Sequence, residues 1–463
     1  MPGNLFFYLH KALHDSLDWP PGDKYLINEL KKTFRGFSIS AGAIEEAIRE
    51  AKNSQEEFYI DMQERGAEIL SGLADKTIVI IGRPYNSFDS GVNLQIPKKL
   101  ASLNVLSIPM DMLPLARVDI SDRWRQMYWR SGQRIIKAAR LIKDNPYLYP
   151  IYIGNFNCGP DSFILKYFKD ELGDKPFLHL EIDEHSADAG AVTRCEAFLD
   201  SIEHRKARPS KPVKSLVRPI MRPSKDNVIY IPRMSDHAYA IAGAFEYSGI
   251  ASEVLPPSDS ESIALGRKHV SGKECYPCAV TTGDMLRKVL SGGFDTEHSA
   301  FFMPSGTGPC RFGQYNVFQR LLLDNIGLKD VQLFSPVQDS TFYEDLGIAG
   351  RDFITRTWKG IVAIELLTKC MHETRPYETE KGGTKAVYDK YLMEVYDSIR
   401  CDKRPLRAIL KAAREAFEAI PVDRTQKRPA IGVVGEIFVR SNKFSNEDIV
   451  QHPMSKTDKY SDI

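Results

Sequence analysis

The strongest constraint in this chain is a six-residue run, Thr77-Ile-Val-Ile-Ile-Gly82, with no polar side chain between the threonine and the glycine. A strand half-exposed to water alternates apolar and polar residues, whereas one apolar on both faces belongs inside a parallel sheet covered by helices on both sides. Similar runs recur at Tyr149-Pro-Ile-Tyr-Ile-Gly154, Val228-Ile-Tyr-Ile-Pro232, Ala300-Phe-Phe-Met-Pro304 and Ala430-Ile-Gly-Val-Val-Gly435, and Phe177-Leu-His-Leu-Glu-Ile182 reads as another strand. Glycine or proline closes most of these runs, and helix-like stretches separate them. Strands alternating with helices predict an α/β protein with parallel sheets. Its ligands are expected outside the carboxyl ends of the strands.

The order of elements divides the chain into segments. Residues 1–75 read as a helical lead-in and 76–204 as a first α/β lobe. Residues 205–227 carry four prolines and eight Lys/Arg and read as a basic, proline-rich linker. A second α/β lobe spans 228–345, and a helical segment 346–425. Residues 426–463 read as the start of a further lobe that breaks off, because the apolar run 430–435 has only a polar tail behind it. The two lobes echo each other: one strand-exit loop holds Cys158-Gly-Pro160, the other Gly308-Pro-Cys310.

Charge and cysteine usage exclude several classes. Sixty-two Lys+Arg stand against 61 Asp+Glu, leaving a net charge of +1. No general basic excess points to nucleic acid, and no apolar run is long enough to span a membrane. Leu5–Leu9 lacks the flanks of a signal peptide. Seven cysteines, unevenly spaced, fit a reducing, cytoplasmic setting and not a disulfide framework. There is no phosphate-binding loop, no dinucleotide fingerprint and no nucleophile elbow.

Four cysteines lie in glycine- and proline-rich loops: Cys158, Cys275, Cys278 and Cys310. Loops of this kind expose backbone N–H groups, which suits thiolates holding an iron–sulfur cluster. Zinc, a redox dithiol at Cys275-Tyr-Pro-Cys278, and plain core thiols are the alternatives. A zinc site normally brings a second cysteine pair, absent here. Cys195, Cys370 and Cys401 read as buried thiols. Asp183-Glu184-His185-Ser-Ala-Asp188 is rich in titratable groups and reads either as a catalytic or metal cluster or as a capped turn. Arg83 and Arg311 occupy strand-exit loops, where a guanidinium can hold an anion or tie down a loop.

Together Gly82-Arg-Pro-Tyr85, Asn155-Phe-Asn-Cys-Gly-Pro-Asp-Ser162, Glu181-Ile-Asp-Glu-His-Ser-Ala-Asp-Ala-Gly190, Gly272-Lys-Glu-Cys-Tyr-Pro277 and Gly308-Pro-Cys-Arg-Phe-Gly-Gln-Tyr315 resemble the large activase-related proteins of the 2-hydroxyacyl-CoA dehydratase and benzoyl-CoA reductase superfamily. The resemblance implies tandem flavodoxin-like (Rossmann-like) lobes with helical additions. It also implies a cluster of the 4Fe-4S or double-cubane type, and electrons from an ATP-hydrolysing activase for reduction or dehydration of a small, acyl-CoA-like substrate in anaerobes. By the same resemblance Cys158, Cys275, Cys310 and, less closely, Cys278 are cluster ligands, and Arg83, Glu184, His185 and Arg311 are motif positions with catalytic roles. Against that resemblance, the ATPase domains of the long relatives are expected to be absent from this chain. A partner chain supplying missing modules is therefore an expectation, and a homodimer is a separate one. A cluster-carrying scaffold or split-gene fragment, and a zinc-stabilised binding protein, are the competing functions.

Overall fold

The computed structural model describes residues 23–37, 39–203, 224–336, 345–346, 349–350 and 352–450. Most of the basic linker, the Leu5–Leu9 patch and the last thirteen residues lie outside these. The chain forms two compact units. One is Met1–Arg218 with Thr307–Pro309, the other Pro219–Gly306 with Cys310–Ile463.

The first unit opens with helices α1 (Asp23–Thr33) and α2 (Ala41–Ser71). Ser40 caps α2 by accepting the Ala43 N–H at 3.1 Å. Strand β1 (Thr77–Gly82) follows, buried at every position. Short helices α3 (Pro84–Phe88) and α4 (Ile96–Ser102) lead to β2 (Ser107–Pro109). Helix α5 (Arg130–Asp144), β3 (Leu148–Asn155), α6 (Asp161–Leu172), β4 (Leu178–Ile182) and α7 (Asp188–Glu203) complete the unit. All pairings are parallel, in the order β2-β1-β3-β4. Ile78, Ile80, Ile151 and Ile153 meet Ile96, Leu100, Phe198 and Ile202 in a core on one face of the sheet. Each such side chain contributes about 1.5–3 kcal/mol when fully enclosed.

The second unit repeats the plan. Strand β5 (Val228–Ile231), helix α8 (Ala238–Tyr247), β6 (Ala251–Val254), α9 (Ser260–Arg267), α10 (Tyr276–Leu290), β7 (Ser299–Phe302), α11 (Tyr315–Asn325) and β8 (Gln332–Phe334) form a parallel sheet of order β6-β5-β7-β8. Helices α12 (Asp352–Thr374), α13 (Gly383–Cys401) and α14 (Leu406–Glu418) share one core with this sheet, through residues such as Phe245, Ile364, Val395 and Ile409. The two sheets thus have the same strand order, as tandem flavodoxin-like lobes require.

Three expectations change. The run Ala430–Gly435 is not a strand: it is irregular, with Ile431 67% and Val434 92% exposed. An apolar strand holds only where neighbours complete its ladder and cover both faces, and among the described residues nothing does so here. The helical stretch read from 123 to 143 breaks at Trp129, which caps α5, leaving only a short turn at Ser121–Trp124 before it. Cys401 is exposed, its thiol donating to Asp397 O at 3.0 Å, so it is not a core residue. Helix α9 and strand β8 gave too short a pattern to be read from the sequence. No described helix is long and apolar enough to cross a membrane.

Candidate functional site

In the first sheet the chain leaves β1 for β2 on one side and returns to β3 on the other. The exit loops of β1 and β3 therefore flank the point where strand order reverses, the usual ligand crevice of such sheets. Arg83 stands just after β1, and Pro84 begins α3 at a position that needs no N–H donor. The Arg83 guanidinium reaches Asp161 Oδ1 across the crevice at 3.3 Å and donates to Tyr85 Oη at 3.2 Å. Tyr152, from the middle of β3, donates to the same Asp161 oxygen at 3.3 Å. Cys158 sits in the β3 exit turn, where Asn157 takes a left-handed backbone (φ 58°) and Cys158 N–H returns to Asn155 O at 3.1 Å.

Burial pushes the Cys158 thiol up and the Asp161 carboxylate adds to this; the Asp161 backbone N–H and Arg83 pull the other way. Four buried polar atoms at these strand ends have no hydrogen-bond partner: Arg83 Nε, Asn86 Oδ1, Ser87 Oγ and Asn155 Oδ1. Sequence reading missed Asp161, Tyr152 and Asn86; Asp161 pairs with Arg83 and Asn86 with Ile153 O, both across elements distant in the chain. Asp161 was within a quoted motif, but nothing local marked it as Arg83's partner.

Glu184 and His185 do not join this group through any contact. Asp183 accepts the His185 N–H at 3.0 Å and the Ser186 hydroxyl at 2.8 Å, which is the capped-turn alternative. The side chains of Glu184 and His185 stand in solvent at 81% and 85% exposure, 3.7 Å apart.

In the second unit Cys275 is the N-cap of α10 and Cys278 its third residue, with Pro277 in the first turn. The Cys275 sulfur lies 2.7 Å from Tyr315 Oη. Burial, together with Cys275, Cys278 and Cys310 nearby, pushes the Tyr315 hydroxyl far up, so it stays protonated. Burial also raises the Cys275 thiol, against the pull of Tyr315 and Arg311. Cys278 is fully enclosed. Cys310 is exposed and precedes the turn Arg311–Gln314. Arg311 donates to Lys273 O at 3.3 Å, tying this turn to the loop before α10.

These thiols fit a cluster unevenly. Cys158 and Cys275 are half-buried sulfurs with donors at hand, the setting thiolate ligands use. Cys278 is packed as a core thiol. Among the described residues no three His, Cys, Asp or Glu side chains are grouped to hold a metal ion. Of the four expected ligands, Cys278 faces the core and Cys310 lies exposed in the second unit, and Cys158 is half-buried in the first.

Residues 6–113 match the family model of the CoA enzyme activase uncharacterised domain (DUF2229). That span runs from before α1 to just beyond β2 and includes Arg83, so this part of the chain is related to activase-associated proteins. No curated protein and no solved structure matches the chain.

Proposed function

We propose that this chain is an iron–sulfur redox protein of the CoA enzyme activase-related kind, with thiolate ligands drawn from Cys158, Cys275 and Cys310. The observation that carries the reading is positional. Cys158 and Cys310 follow the third strand of two lobes with one strand order, at the edge where such sheets bind ligands. When bound, a cluster of this type supplies one-electron transfer at low potential. The chain's own part is to position and tune the sulfurs. The Asp161 N–H bonds Cys158, the Tyr315 hydroxyl bonds Cys275, and Arg83 offsets the charge of Asp161. In this proposal an ATP-driven activase delivers the electron, and reduction or dehydration of a small acyl-CoA-like substrate consumes it.

A non-catalytic, cluster-carrying subunit is the second reading. It is favoured by the solvent position of Glu184 and His185, which holds no acid–base pair ready for substrate. The test is anaerobic purification with iron and acid-labile sulfide counted per chain. Iron and sulfide in near-equal amounts are expected, with sharp losses in Cys158→Ala, Cys275→Ala and Cys310→Ala. Zinc in place of iron, or unchanged iron in all three variants, would refute the proposal.

A further inference from the structure

The start of α10 carries a second chemistry. Cys275 caps the helix and Cys278 follows at its third position, and the Cys278 N–H donates to Cys275 O at 2.9 Å. A four-residue turn closed in this way brings its end Cα atoms within about 7 Å. A disulfide needs about 4.4–6.8 Å. Pro277 stiffens the turn at a place where its missing N–H costs nothing. The two thiols differ in access: Cys275 is half-buried beside Tyr315, and Cys278 is enclosed. That asymmetry separates an attacking thiol from a resolving one. Both cysteines are free thiols in this structure.

We propose that Cys275 and Cys278 are a redox-active dithiol whose oxidant is a small disulfide of the glutathione class. The Cys275 thiolate attacks one sulfur of the oxidant and releases one thiol, leaving a mixed disulfide on Cys275. The Cys278 sulfur then attacks Cys275 Sγ and releases the second thiol. Two protein thiols become one disulfide, the small disulfide becomes two thiols, and both protons leave on those products. The pair does not depend on cluster binding, and metal-free chain is the right material for its test.

The full-length chain, reduced and treated with chelator, is equilibrated in glutathione buffers of rising disulfide fraction. Samples are quenched in acid, alkylated and digested with trypsin. The tryptic peptide spanning residues 274–287 contains Cys275, Cys278 and no other cysteine. It should convert, in one two-electron transition, from a doubly alkylated form to an unalkylated form two hydrogens lighter than the free dithiol. Cys278→Ser should trap glutathione on Cys275, and Cys310→Ser should leave the transition in place. A peptide that stays doubly alkylated throughout would overturn the proposal. So would glutathione persisting on Cys275 in the unaltered chain, or a cross-link from Cys275 to Cys310.

Discussion

Replacing Gly283 with alanine tests the packing that positions Cys275 and Cys278. Helices α9 and α10 cross at two glycines. A Cβ on Gly283 would lie 1.6 Å from Ser262 O, and one on Gly266 1.8 Å from Ala279 O. Both obstacles are backbone, so no side chain can swing aside and the helices must separate. Overpacking of this kind costs about 3 kcal/mol at its upper range. The better helix propensity of alanine returns about 1 kcal/mol. A net loss of about 2 kcal/mol remains for opening α10, or about 30-fold at 1.36 kcal/mol per decade. Cys278, fully enclosed on α10, reports that opening directly, because a thiol reagent reaches it only when the helix comes away. The assay is the rate of Cys278 alkylation in native buffer, read by mass spectrometry. Gly283→Ala should accelerate it about 30-fold. Gly190→Ala, in α7 with nothing within 4 Å of its new Cβ, should leave it unchanged. Adding Gly266→Ala to Gly283→Ala should cost less than the two separately, since the first already parts the helices. An unaltered Cys278 rate in Gly283→Ala would refute the crossing described here.

Two further predictions concern buried carboxyls. Asp284 on α10 is pushed up to about 6, mainly by burial, although Ser258 donates to it at 2.8 Å. The fold favours its neutral form, so this group's contribution to stability is greatest below about pH 4 and declines as pH rises to about 6. Asp284→Asn keeps an acceptor for Ser258 and should raise stability at pH 7 by about 1–3 kcal/mol with little gain at pH 4; equal midpoints in urea at pH 7 would contradict this. Glu171 on α6 has the opposite sign. Burial opposes its charge, but Arg140, Trp124 and Arg123 hold its carboxyl below the usual range. Its stabilisation is present at neutral pH and lost as pH falls below about 4.5. Glu171→Gln should cost about 2–4 kcal/mol at pH 7, somewhat under the cost of breaking a fully buried ion pair because both arginines are partly exposed; an unchanged melting temperature at pH 7 and at pH 4 would count against it.

Much of the architecture was legible because local pattern and tertiary role coincided. The all-apolar runs at 77–82 and 228–231 became central strands, and the Gly/Pro loops after β3 and β7 took Cys158 and Cys310 to the carboxyl edges. The same rule misled at 430–435. Apolarity on both faces states what a strand needs, not whether a sheet is there to receive it, and Val434 stands in solvent. For the site, residue type named the thiols, but burial separated them. Cys275 and Cys278 are three residues apart in the chain, yet one lies half-open beside Tyr315 and the other is sealed.

Period and composition alone determine two parallel α/β lobes, the helical stretches around them and loops that carry cysteines at strand ends, because backbone hydrogen bonding and side-chain alternation act over a few residues. Which groups meet was decided only by the tertiary structure. Arg83 finds Asp161 because β1 and β3 are adjacent, and Tyr315 finds Cys275 because α11 packs near the start of α10. Glu184 and His185 stay exposed, 3.7 Å from each other, in the turn after the edge strand β4. These pairings join residues tens of positions apart, over distances where no local preference reaches and only the closed fold sets the neighbours.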